Sequence, residues 1–222
     1  MVGIKINQEV EIKLRVTDVP ALRRRLRQLN AREVSSRTHE SNTLYDTAKK
    51  DLARRGQLIR IRVEQPSPER NRHDRPRPAR IILTFKGPPR SALRVRPTSG
   101  RPRKNSRYKV REEVEVTVSG VEEMRRILHA LGLRPSFRYE KFRTTYALPG
   151  LRNLKIEFDE TAIGTFLELE GSPPAIDRIA GLLGYSHSDY ITQTYGALYL
   201  ADCRLRGRKP TGMLLQPTKK SL

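Results

Sequence analysis

Residues 9–13 read Glu9-Val10-Glu11-Ile12-Lys13, a strict alternation of charged and β-branched side chains. On a strand of period two, Val10 and Ile12 face one way while Glu9, Glu11 and Lys13 line the other. A solvated outer strand has the same grammar, so five residues alone decide little. The pattern then returns along the chain. Leu58-Ile59-Arg60-Ile61-Arg62-Val63 sets Arg60 and Arg62 against Ile59, Ile61 and Val63. Ile81 to Lys86 puts Thr84 and Lys86 on one face before the turn at Gly87-Pro88, and Arg111 to Val118 sets Arg111, Glu113 and Glu115 opposite Val114 and Val116. Further strands of this style are expected at Glu140-Lys141-Phe142-Arg143, Lys155 to Asp159 and Phe166 to Glu170. A chain that puts charges on one side of strand after strand can be wrapping them around something.

The composition narrows what that something is. The 222 residues suit one domain of ordinary size or two small ones, and 36% hydrophobic residues can bury a lean core. A formal charge of +21 points to a polyanionic partner: nucleic acid, a phosphorylated small molecule or an anionic surface. The single cysteine, Cys203, excludes an internal disulfide framework and fits a reducing compartment. No run approaches the ~18 apolar residues of a membrane span, and the first residues lack a signal-peptide apolar segment. The expectation is a cytoplasmic protein with no membrane partner, monomeric or homodimeric.

Between the strands, Asp18 and Pro20 suit the start of a helix carrying Leu22, Leu26 and Leu29 inward and Arg23, Arg24, Arg25 and Arg27 mostly outward. A strand and turn are expected near Leu44-Tyr45-Asp46-Thr47. Ser119 and Glu122 read as a capping box for a helix with Val121, Met124, Leu128 and Leu131 inward, ending at Gly132. A third helix should run from Ser172-Pro173 to Leu183, and a fourth from Asp189 to Leu200 with Ser188 as its cap. Two basic, proline-rich insertions, 64–80 and about 89–105, read as solvated loops, and a basic tail over 203–222 as disordered, leaving 1–202 as the folded domain.

The chain also answers itself. Glu9-Val10-Glu11-Ile12 with the Leu22/Leu26/Leu29 helix matches Glu113-Val114-Glu115-Val116 with the Met124/Leu128/Leu131 helix. Leu58 to Val63 parallels Leu154 to Phe158, and Thr84-Phe85-Lys86-Gly87 parallels Glu168-Leu169-Glu170-Gly171. At matched places the first half supplies Arg60, Arg62 and Lys86 where the second supplies Lys155, Glu157 and Glu170. Two such strand–helix–strand halves facing each other could close into a barrel whose lumen carries cations and carboxylates together. Charges there are costly unless paired or ligand-bound, so a dry apolar core is not the purpose of that face.

A polyphosphate with a divalent metal needs both signs. Lysine and arginine neutralise phosphate oxygens, and carboxylates such as the Glu9/Glu11 and Glu168/Glu170 pairs can point at one ion from the same side. Phosphoryl transfer asks chiefly for such positioning and charge stabilisation, not for a covalent nucleophile. His39, His73, His129 and His187 show no ligand spacing, Cys203 is a poor nucleophile candidate, and Tyr45, Tyr139, Tyr146, Tyr190 and Tyr195 read as core or rim aromatics.

These motifs, in this order, resemble the CYTH domain of the triphosphate tunnel metalloenzymes over about residues 8–200. Glu9, Glu11 and Lys13 match the Glu-x-Glu-x-Lys signature. Arg60/Arg62, Lys86-Gly87, Lys141/Arg143, Asp159 and Glu168/Glu170 look like its later motifs. The resemblance implies an α+β fold: an antiparallel eight-stranded tunnel with helices packed outside. It implies that Lys13, Arg60, Arg62, Lys86, Lys141 and Arg143 grip a triphosphate, with Arg111 a further lumen candidate. Glu9, Glu11, Asp159, Glu168 and Glu170 would hold Mg²⁺ or Mn²⁺, and Glu9, Glu11, Lys13 and Lys86 would carry catalysis. Two outcomes are open inside the family: hydrolysis of a terminal phosphate, or cyclisation of ATP to cyclic AMP and pyrophosphate. A binder of polyphosphate or RNA, working through the basic loops, is the rival of another class. The two insertions and the basic tail depart from the family pattern.

Overall fold

The computed structural model describes residues 8–66, 78–89 and 107–216. Eight strands form one closed antiparallel barrel: β1 (Gln8–Val16), β2 (Arg32–Asp46), β3 (Leu58–Pro66), β4 (Arg80–Lys86), β5 (Lys109–Val118), β6 (Arg134–Ala147), β7 (Lys155–Thr161) and β8 (Gly164–Glu170). Around the ring the order is β1-β5-β4-β3-β2-β6-β7-β8. The two sequence halves therefore exchange their first strands, β1 closing against β8 and β5 against β4. Closure leaves no free sheet edge to manage.

Five helices pack outside: α1 (Val19–Gln28), α2 (Asp51–Arg54), α3 (Val121–Ala130), α4 (Pro173–Leu182) and α5 (Tyr195–Leu205). They explain how a barrel can afford a charged interior. The main core lies between the outer face of β1, β7 and β8 and the helices α1 and α4. Ile12, Leu14, Ile156, Leu167 and Leu169 meet Leu22, Leu26, Ile176, Ile179 and Leu183 there. A smaller cluster, with Tyr45, Ile61, Leu128 and Leu133, sits under α3. Because the alternation has period two, the face opposite each buried aliphatic turns inward. Among the described residues no helix is long and apolar enough to cross a membrane.

Local signals hold in part. Asp18 caps α1 by accepting from the Ala21 amide at 2.8 Å. Gly132 takes φ +79° just beyond α3, as its role at a helix end requires. Five expectations are corrected. The N-cap of α3 is Gly120, whose side chain offers no oxygen, and Leu131 is 70% exposed instead of inward. The last helix starts six residues late. Asp189 closes a 3₁₀ turn with Ser186, and Thr194 is the true cap, accepting from the Ala197 amide. The tail begins later too, since α5 reaches Leu205 and fully buried Met213 bridges to Tyr139. Finally, β3 extends to Pro66 and β4 starts at Arg80, so the first insertion is narrower than 64–80. Residues 67–77, 90–106 and 217–222, with His73 among them, lie outside the described residues.

The largest addition is β2. The sequence suggested strand only near Leu44, yet 15 residues are extended. Arg32 to Asp46 shows little alternation because its form is imposed from both sides, by β3 and by β6, with register shifts at Glu33/Ser35, Ser35/Thr38 and Leu44/Tyr45.

Candidate active site

The barrel encloses a cavity of about 620 Å³ lined by ten lysines and arginines and nine glutamates. The two signs are not mixed at random. β1 and β8 are neighbours, and β2 and β3 lie three or four places away from them around the ring.

The β1–β8 wall carries carboxylates. Glu11 stands directly opposite Glu170, and Lys13 opposite Glu168. Glu9 accepts from the Lys86 ammonium at 2.6 Å, and Glu113 lies 3.1 Å from the same ammonium. Lys13 lies 3.0 Å from both Glu11 and Glu168, Lys109 also pairs with Glu11, and Lys155 reaches Glu170 at 3.2 Å. Burial works against each buried charge, and the partners decide the outcome. For Glu11 and Glu168 the neighbouring lysines and arginine win and hold the carboxyls well below the usual range. For Lys13 the two glutamates win and raise the ammonium. Burial prevails elsewhere. Glu113 is pushed up to about 7, with Glu9 and Glu115 adding to the effect and Lys86 opposing it. Glu170 is raised by burial and Glu9 against the pull of Lys155. Lys109 is lowered, by burial first, with Lys13 and Lys86 adding to it and Glu11 opposing.

The far side carries cations. Arg60 donates to Thr84 at 3.1 Å, Glu115 at 3.2 Å and the Tyr139 hydroxyl at 3.2 Å. Arg62 donates to Asn42 and Glu64. On β6, Lys141 and Arg143 converge on fully buried Asp159, at 2.9 Å for Lys141 and 2.6 Å for both arginine contacts. The Tyr195 hydroxyl donates to Asp159 as well, at 2.7 Å. Arg143 also clamps Glu157 and Glu168, which stand opposite each other across β7–β8. Burial still pushes the Glu157 carboxyl up to about 7, with Arg143 opposing and Glu168 reinforcing.

Glu40, from β2, sits among Arg62 at 3.6 Å, Lys141 at 3.5 Å and Arg143 at 3.8 Å. Burial disfavours its charge, but these three cations hold the carboxyl well below the ordinary range. Its Oε2 still has no hydrogen-bond donor. Asn42 Nδ2 and Arg60 Nε, both on this β2–β3 wall, are also buried without partners. Unsatisfied polar atoms of this kind are uncommon and mark a place where water or a ligand group belongs.

Glu9, Glu11, Lys13, Arg60, Arg62, Lys86, Arg111, Lys141, Arg143, Glu168 and Glu170 all line the cavity. Asp159 joins the same cluster, but its oxygens are taken by Lys141, Arg143 and Tyr195. Arg111 spends its guanidinium on the backbone, donating to the Gly87 carbonyl at 2.9 Å and to that of Gly56. Sequence reasoning missed Glu40, Lys109 and the inward reach of Tyr139 and Tyr195. Lys109 only continues the 111-113-115 alternation backwards. Nothing local announced Glu40 or Tyr195.

A divalent cation is a fair guest for the β1–β8 wall. Like charges opposite each other on neighbouring strands repel, so Glu11 facing Glu170, with Glu9 nearby, needs positive charge between them. All-oxygen donors of this type suit a hard ion. Among the described residues no three acidic, histidine or cysteine side chains already surround one point. The glutamates are held by lysines and arginines instead.

A closed barrel whose lumen holds carboxylates and cations together defines a charged-tunnel protein. The CYTH domain profile matches residues 7–195, and the chain belongs to the CYTH domain family. Solved structures share the fold. The PH1819 protein of Pyrococcus horikoshii aligns at TM-score 0.65 and 20% identity, over 87% of this chain and 99% of that one. A candidate adenylate cyclase of Vibrio parahaemolyticus aligns at 0.63 and 17%, over 86% and 96%. HpAC1 of Hippeastrum, a candidate adenylyl cyclase with a dominant triphosphatase activity, aligns at 0.56 and 17%, over 95% and 99%. No curated protein matches the chain.

Proposed function

We propose that the protein is a metal-dependent triphosphatase that takes a triphosphate into the barrel. The observation that carries this reading is the meeting of paired carboxylates and cations in one buried cavity, with Glu9, Glu11 and Glu170 on β1 and β8 and Arg60, Arg62, Lys141 and Arg143 on β3 and β6. A simple anion binder has no use for the first group. Arg60, Arg62, Lys141 and Arg143 bind the phosphate oxygens, with arginine able to take two at once. Lys13 and Lys86 sit beside the carboxylates, where they meet the charge that develops on the transferred group. Glu9, Glu11, Glu168 and Glu170 would hold Mg²⁺ or Mn²⁺, which neutralises phosphate charge and orients the attacking oxygen. We assign Asp159 to the positioning of Lys141 and Arg143, and Arg111 to fixing the backbone at Gly56 and Gly87. The dominant triphosphatase activity named for the Hippeastrum protein is in keeping with hydrolysis.

Purified protein given ATP, inorganic triphosphate and thiamine triphosphate, with Mg²⁺, Mn²⁺ or EDTA, tests the reading. Phosphate release that needs metal is the expected result. Cyclic AMP with pyrophosphate would make the protein a cyclase instead, and no turnover of any triphosphate would remove the enzymatic reading altogether.

A further inference from the structure

The net charge of +21 has no home in the lumen. There ten lysines and arginines face nine glutamates and Asp159, so the interior is balanced. The whole excess belongs to the outer surface and to the stretches outside the described residues. A triphosphate bound inside does not account for it.

The clearest concentration among the described residues is α1. Arg23, Arg24, Arg25 and Arg27 are all exposed, and the helix from Val19 to Gln28 contains no acidic residue. Like charges three and four residues apart repel, so Arg23–Arg27 and Arg24–Arg27 cost the helix stability that interleaved glutamates would restore. Solubility is served equally well by mixed signs, and gives no reason to keep this arrangement. Arg25 is partly spoken for, donating to the Leu183 carbonyl, and Arg23 lies 5.9 Å above the Phe158 ring. Arg23, Arg24 and Arg27 make no ion pair among the described residues.

Beside the helix runs a groove of about 290 Å³ with Arg23 and Arg27 on one flank and Arg37 also lining it. Glu33 and Glu160 line it as well. Glu160 is neutralised by Arg37 at 2.8 Å, and Glu33 is also engaged. With three arginines against two glutamates, the groove carries a net surplus of one cation, and Arg24 on the same helix adds to it.

We propose that α1 and this groove form a docking surface for a nucleic-acid phosphate backbone, separate from the barrel cavity. Arginine is the residue suited to phosphate, since its planar fork presents paired donors to two oxygens. A membrane surface fits less well, because the apolar residues of α1, Leu22 and Leu26, are buried in the core and leave nothing to insert. The inference does not rest on the tunnel chemistry.

The test uses a labelled 20-nucleotide RNA with a 5′-hydroxyl end, which has no triphosphate to offer the cavity. Binding by the full chain and by a triple Arg23→Gln, Arg24→Gln, Arg27→Gln variant is followed across salt concentrations, with thermal melting to check the variant's fold. The parent is expected to bind, and the variant to bind at least tenfold more weakly. The slope of log K against log salt should fall by about 2, as three lost phosphate contacts require. Saturating inorganic triphosphate at matched ionic strength should leave RNA binding intact. Absence of binding by the parent, equal binding by a folded variant, or displacement by inorganic triphosphate would each overturn the proposal.

Discussion

The two facing walls of the barrel solve opposite electrostatic problems. On β1 and β8, carboxylates stand against carboxylates, Glu11 opposite Glu170 with Glu9 nearby, and lysines hold the set together. On β2 and β3, Arg60 and Arg62 crowd together with Lys141 and Arg143 of β6, and the carboxylate at their centre, Glu40, is approached by charge without a hydrogen bond to its Oε2. The first wall sets carboxylate against carboxylate, and the second has donors left to give. A ligand made of a divalent cation and phosphate oxygens corrects both at once, which neither a metal nor an anion does alone.

The largest effect should come from cutting the joint between the walls. Arg143 touches Glu40, Glu157, Asp159 and Glu168. Arg143→Ala leaves buried Glu157 without its cation and takes one from Glu40, Asp159 and Glu168, and a loss of ~3–5 kcal/mol is expected in urea unfolding. Unchanged stability would mean that the two walls are independent.

Removing the anion from the cationic wall should act in the other direction. Glu40→Gln keeps the shape and lifts one negative charge from three phosphate-binding candidates. Inorganic triphosphate should bind about tenfold more tightly, the scale of one charge at this range in a partly polar interior. Weaker binding in calorimetry would show that Glu40 positions the cations and does not compete with the ligand.

A further effect is a pH dependence on the carboxylate side. Glu113 and Glu157 titrate near 7 in the folded protein, above the ordinary glutamate value. The folded state therefore holds these protons more tightly than the unfolded chain. That stabilisation is full below about pH 4.5 and is lost as pH rises through 7. The lowered Glu11, Glu40 and Glu168 contribute the opposite trend, losing stability as pH falls below about 4.5. Glu113→Gln should gain ~2 kcal/mol at pH 8 and little at pH 5 in ligand-free urea melts. Equal shifts at both pH values would contradict the assignment.

What could be read beforehand follows the physics of alternation. β1, β3, β4 and β5 announce themselves because charged and branched residues take turns, and that same alternation exposed Glu9, Glu11, Lys13, Arg60, Arg62 and Lys86 as one inward face. β2 escaped because its stretch Arg32 to Asp46 is polar on both sides and is held extended by two neighbours. Glu40 was lost with it. The last helix was misplaced because Ser188 and Asp189 resemble a cap, while the true start at Thr194 is fixed by packing. Tyr195 has to reach Asp159, and Met213 has to seat against Tyr139. Such long-range demands leave no periodic trace.

The division of labour between the walls is tested most directly by a Glu9→Gln, Glu11→Gln protein measured twice, for metal-dependent turnover of inorganic triphosphate and for binding of the same anion without metal. Turnover should fall by about 10³-fold or more, the scale of lost electrostatic stabilisation at a reacting phosphate, while binding stays equal or tightens because Lys13, Lys86 and Lys109 lose their carboxylate partners. Metal-dependent turnover that survives the double change, or binding that collapses together with it, would contradict the account.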